Sequence, residues 1–189
     1  MRGHAIRTDE TEGTKMIHIY HGNGKGKTTA AMGLALRAIA QGQRVLIVQF
    51  LKGSESGEIT LLGQYPNVTI FRGKPNCKFS FQLTDEEKCD CRQANDDMLA
   101  RALREHAREP FGTIILDELN GALSTGMLSP EPLAGIIRQA QGAEDGLELI
   151  CTGRNPQDWL KDAADYITEM KCERHPFDQG VCARKGVEY

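Results

Sequence analysis

His21-Gly22-Asn23-Gly24-Lys25-Gly26-Lys27-Thr28-Thr29 stands between an apolar run, Met16–Tyr20, and an alanine-rich stretch, Lys27–Gln41. The first reads as a strand and the second as a helix, with Gly42 placed to end it. The segment between them ends as the P-loop pattern G-x-x-x-x-G-K-[ST] ends, with His21 where that pattern has its first glycine. Glycines let successive backbone N–H groups turn inward around phosphate oxygens, because a residue without Cβ enters the required φ/ψ regions cheaply. Lys27 suits charge on the distal phosphates, and the Thr28 hydroxyl suits Mg²⁺. The following helix points its unpaired N–H groups at the same place. These features lead to a nucleoside-triphosphate site built from Gly22, Asn23, Gly24, Lys25, Gly26, Lys27, Thr28 and Thr29.

Outward from that site, strands and helices alternate without a repeat. Val45–Phe50 is a continuous apolar run, as expected of a buried parallel strand. Lys52–Gly57 forms the loop after it, and Glu58–Gln64 a short helix. Val68–Phe71 is a third strand. Thr84-Asp85-Glu86-Glu87 is a capping box that opens a helix to about Arg108. Thr113-Ile114-Ile115-Leu116-Asp117-Glu118 is an apolar strand ending in two carboxylates. A helix at Pro130–Gln141, a strand at Leu147–Cys151, a helix at Pro156–Ala164 and a strand at Tyr166–Met170 complete the series. The pattern predicts an α/β fold: one doubly wound, mostly parallel sheet of the P-loop NTPase type in a single domain, residues 16–189, behind a flexible arm, residues 1–15.

Such a sheet gathers four loops at one edge: the P-loop, Lys52–Gly57, Asp117-Glu118 and Thr152-Gly153-Arg154. Asp117 then has the position of a Walker B acid, suited to Mg²⁺. Glu118 could orient an attacking water or contact the nucleotide ribose. Arg154 after a buried strand suits an oxyanion, and Lys52 has the same reading. Arg37 interrupts the apolar surface of its helix and either faces solvent or reaches a ligand or a partner subunit. Gly33 allows that helix a close approach. Phe79 and Phe81, in a chain with only 6% aromatic residues, are either core or a wall for a large flat ligand.

The net charge of −3 argues against nucleic acid or anionic lipid as a partner. No apolar run approaches a membrane span, and no secretory leader is recognisable, so a cytoplasmic protein is expected. The six cysteines include no C-x-x-C pair, which argues against a structural zinc site; Cys77, Cys89 and Cys91 form a cluster without an assigned role. His18 reads as a satisfied residue within its strand, whereas His4 and His106 read as solvated.

The run from His18 to Gly53, Leu116-Asp117-Glu118-Leu119, Thr152-Gly153-Arg154, His175-Pro176-Phe177-Asp178-Gln179-Gly180 and the Gly186–Tyr189 ending resemble the P-loop ATP:corrinoid adenosyltransferases. These are also called cob(I)yrinic acid a,c-diamide adenosyltransferases. The resemblance implies transfer of the 5′-deoxyadenosyl group of ATP to the Co(I) of a corrinoid, with triphosphate released. It implies Mg²⁺, an electron donor such as a flavoprotein, and a homodimer. The resemblance implies ribose contact for Glu118 and the corrinoid for Phe79 and Phe81; with the loop residues this gives Lys27, Glu118 and Arg154 as serving the reaction and Arg37 and Lys52 as serving the nucleotide. The second of those aromatics is Phe where the family has Trp. Two other readings of the P-loop stand beside this one: an ATP hydrolase using Glu118 to orient water, and an ATP-gated binding module.

Overall fold

Alternate residues of the strands belong to opposite faces, so Val45 and Ile47 pack on one side while Leu46 and Val48 pack on the other. In the computed structural model, which describes residues 16–52, 56–73, 83–142 and 146–187, this alternation sandwiches one sheet between two helical layers. The strands are β1 (Ile17–His21), β2 (Val45–Gln49), β3 (Val68–Arg72), β4 (Thr113–Asp117), β5 (Glu148–Gly153) and β6 (Tyr166–Glu169). They are ordered β3-β2-β4-β5-β1-β6, and every pairing is parallel. The doubly wound parallel sheet expected from the sequence is therefore present.

Helices α1 (Lys27–Ala40) and α2 (Gly57–Leu62) cover one face. Ala31, Met32, Ala35, Ile59 and Leu62 meet Val45, Ile47, Ile115 and Ile150 there. The other face lies under α3 (Asp85–Arg108), α4 (Leu119–Ser124), α5 (Leu133–Gln141) and α6 (Asp158–Ala163). Leu99, Leu119, Ile136 and Leu160 close that core with Ile17, Ile19, Ile114 and Leu149. Removing one such side chain to Ala costs about 2–5 kcal/mol.

Helix α3 starts as its capping box requires: Glu87 N donates to Thr84 Oγ1 at 3.2 Å, and Thr84 N donates to Glu87 Oε2 at 2.9 Å. Gly42, at φ 74°, takes the left-handed position just past the end of α1.

Four details differ from the sequence reading. β4 stops at Asp117, and Glu118 sits at φ 60°, ψ 20° as the residue before α4, a helix too short to show a period. His106 is buried rather than solvated, because the buried face of α3 (Asn95, Met98, Leu99, Ala102, His106) extends to its last turn. Gly33 does not serve close packing: a Cβ there would meet nothing within 4 Å. The stretch 175–187, in which the sequence pattern shows no element, contains a single 3₁₀ turn, Pro176–Gln179.

Candidate nucleotide-binding site

Positive φ and close backbone contact together dictate the glycines of the loop. Gly26 sits at φ 113° directly before α1, and no side chain caps the helix there, so its first-turn N–H groups face outward. A Cβ on Gly24 would lie 2.6 Å from the Lys171 carbonyl oxygen, and one on Gly22 2.5 Å from that of Met170. Gly24 N donates to Met170 O at 2.7 Å, and Met170 N donates to His21 O at 2.8 Å. The first two glycines thus lock the loop against the end of β6, and Gly26 turns it into the helix. Asn23 is exposed.

Next to the loop lies a cavity of about 590 Å³, a size suited to a nucleotide-scale ligand. Lys25, Lys27, Thr28, Thr29, Lys52 and Glu118 form its polar wall. Met32, Gly33 and Leu36 of α1 and Leu61 of α2 form an apolar one. At Gly33 this side is open, since a Cβ there would meet nothing within 4 Å. Lys25 Nζ donates to Val187 O at 2.7 Å, bringing the C-terminal segment to the rim.

Beneath the cavity, Asp117 is fully buried and accepts from four groups. Thr28 Oγ1 (2.8 Å) and Thr152 Oγ1 (2.6 Å) donate to its Oδ1. Gln49 Nε2 (2.9 Å) and Lys52 Nζ (3.2 Å) donate to its Oδ2. Burial alone would raise this carboxyl's pKa. Lys52 and the hydrogen bonds from Thr152, Gln49 and Thr28 outweigh burial and hold it below the ordinary carboxylate value.

Burial would likewise lower the Lys52 pKa, but the Asp117 and Glu118 carboxylates hold it above the usual lysine value. Lys27 goes the other way: burial, reinforced by Arg154 and Lys52, lowers its pKa against the pull of Glu118 and Asp117. Its Nζ donates to Gly24 O at 2.7 Å. A cavity carrying three ammonium groups, with an uncapped helix end beside them, has the electrostatics of a polyphosphate site.

The model of the ATP:corrinoid adenosyltransferase BtuR/CobO/CobP family matches residues 13–189. The chain belongs to this family. A corrinoid adenosyltransferase of Pseudomonas aeruginosa is 32% identical to it over 92% of this chain and 83% of the relative. One of Escherichia coli K12 is 31% identical over 92% and 85%, and one of Salmonella typhimurium, named CobA, 32% identical over the same shares. Among solved structures, the KaiC-like protein PH0186 of Pyrococcus horikoshii OT3 superposes with a TM-score of 0.54 at 15% identity. That match covers 84% of this chain and 72% of the other, a likeness of fold alone.

Against this adenosyltransferase frame, the structure brings Lys25, Gly26, Lys27, Thr28, Thr29, Lys52, Asp117 and Glu118 together. Arg154 follows β5, is exposed and acts on Lys27 through its charge, but does not line the cavity. Arg37 is exposed in the last turn of α1, about 15 Å along the axis from Lys27, and is not part of the cavity wall. Phe79, Phe81 and Cys77 fall outside the described residues.

β4 is not next to β1; β5 separates them. Thr152 of β5 holds the end of β4, accepting from the Glu118 backbone N–H (3.0 Å) and donating to Asp117, while the Thr28–Asp117 hydrogen bond spans from β4 to the start of α1. Sequence reasoning missed the roles of Thr152 and Gln49. The one available signal for Gln49 was a polar residue inside the run Val45–Phe50. Among the described residues no helix is long and apolar enough to cross a membrane.

Proposed function

We propose that the protein transfers the 5′-deoxyadenosyl group of ATP to the Co(I) of a corrinoid and releases triphosphate. The observation that carries this reading is the cationic cradle of Lys25, Lys27 and Lys52 opening onto a mostly apolar cavity in a chain of this family. The Co(I) electron pair forms a bond to C5′ of the ribose, and the C5′–O bond breaks with its pair going to the triphosphate. No proton has to be removed, so the site needs no general base. What it needs is stabilisation of a leaving group that departs with all its charge. The open N–H groups at the start of α1 and the Lys27 ammonium serve that end, with Arg154 adding charge from outside the cavity wall. Glu118, on the cavity wall, is assigned to the ribose.

Mg²⁺ fits the oxygen donors present, the Thr28 hydroxyl and the Asp117 and Glu118 carboxylates. When bound it supplies further neutralisation of the phosphates. The remaining parts of the proposal come from the family resemblance: Phe79 and Phe81 toward the corrin, a homodimer, an electron donor such as a flavoprotein, and work in the cytoplasm in adenosylcobalamin synthesis or salvage.

The test is to add Mg-ATP to the protein with chemically reduced corrinoid and follow the cobalt–carbon bond by absorbance. Adenosylated corrinoid forming at a rate proportional to enzyme is the expected outcome. A corrinoid spectrum unchanged while ATP is consumed would overturn the proposal.

A further inference from the structure

Lys52 does more than line the cavity. Its ammonium lies 2.8 Å from Thr28 Oγ1, 3.2 Å from Asp117 Oδ2 and 3.5 Å from Glu118 Oε1. Those three oxygens are the hard donors that a divalent cation at this site would take, at about 2.0–2.1 Å for Mg²⁺. Two cations sharing them would stand only a few ångströms apart inside a largely buried site, where repulsion is poorly screened. We propose that Lys52 is a built-in counter-cation that competes with the divalent metal for the Thr28–Asp117–Glu118 oxygens, so that the metal enters together with the nucleotide and not before it.

The geometry supplies both halves of this exchange. Asp117 is held on its other sides by Gln49 and Thr152, so it stays in place whichever cation it faces. Thr28 is fixed by the start of α1. Lys52 is the mobile member, a four-carbon chain whose side chain also borders the cavity. Phosphate oxygens arriving at Lys27 give its ammonium a second anionic partner within that cavity. The ammonium moves to the phosphates, and the metal takes the oxygens it leaves. Metal without nucleotide offers Lys52 no such alternative and has to displace it unaided. The proposal rests on the reading that Thr28 and Asp117 hold the nucleotide's metal.

The test titrates Mn²⁺ into protein without nucleotide and reads free Mn²⁺ by electron paramagnetic resonance. Wild type and Lys52→Arg, which keep the charge, should bind Mn²⁺ weakly. Lys52→Met and Lys52→Gln should bind it about tenfold more tightly or better. Adding ATP, with a protein-free Mn²⁺–ATP titration as the reference because ATP itself chelates the metal, should tighten binding to wild type and narrow that gap. Equal affinity of wild type and Lys52→Met for Mn²⁺ alone would overturn the proposal. Should Lys52→Met fold poorly because Asp117 is left buried without a cation, Mn²⁺ should raise its melting temperature more than that of wild type. No such difference also overturns it. Mn²⁺ ignored by wild type even beside ATP would instead overturn the metal assignment itself, and this proposal with it.

Discussion

The two edges of the sheet handle buried polar groups in opposite ways. Where the strands begin, each group ends on another part of the protein. His18 donates from Nε2 to Glu148, and Ile17 N donates to Asp165 Oδ2 at 2.8 Å. Thr113 Oγ1 donates to Gln43 Oε1 at 3.0 Å. Phe111 N donates to His106 Nδ1 at 3.1 Å, which leaves the proton on Nε2 to be donated to Gln139 Oε1 at 3.0 Å. Arg44 lies 4.3 Å over the Phe111 ring and closes that corner. Where the strands end, the network also satisfies Asp117, but its outer members, Lys52, Lys27 and Glu118, stop at a cavity. The first edge is closed by polar groups for the sake of the fold. The second keeps charge in reserve for a ligand, and that distinction, more than the count of polar residues, marks the site.

Substitutions should break this contrast in order of size. Lys27→Ala is expected to lower adenosyl transfer by about a hundredfold or more while leaving the circular dichroism spectrum native, since the role proposed for Lys27 is to meet charge on the leaving group and its side chain lies outside the core. The same change at two glycines should then have opposite signs. Gly24→Ala forces a Cβ to 2.6 Å from a backbone carbonyl oxygen and should destabilise by about 1–3 kcal/mol in denaturant titrations. Gly33→Ala places its methyl in open space within a helix and should stabilise by about 0.5–1 kcal/mol.

The smallest effect is in pH dependence, and its window separates the edges. Burial lowers the His106 pKa below 6.5, so its contribution is present above that value and is lost as pH falls through the folded pKa. Asp117, held below 3.8, contributes above that value and loses its contribution only in stronger acid. A melting profile between about pH 8 and about pH 5 should therefore slope in wild type and flatten in His106→Gln.

The sequence made the sheet and its loops legible because five-residue apolar runs and a glycine-rich turn have little other use. Helix α4 was not legible, since six residues carry no period and no capping signal precedes Leu119. The left-handed Glu118 was hidden for the same reason: nothing in the letters Leu-Asp-Glu-Leu says that the chain turns between the two acids. Gln49 and Thr152 act only because distant strands lie side by side, a fact of topology. Arg37 shows the converse. A charge on an apolar helix invites a ligand role, but α1 carries it to the far end from the cradle. Cys151 could not be told from a reactive thiol by its letter; full burial pushes its pKa up to about 12 and leaves it inert.

The most direct test of the central claim, a cradle that releases three phosphates as one group, follows the phosphorus by ³¹P NMR during turnover with Mg-ATP and reduced corrinoid. Triphosphate should appear in step with adenosylated corrinoid, one for one. ADP and inorganic phosphate accumulating in its place, and equally without corrinoid, would contradict the account.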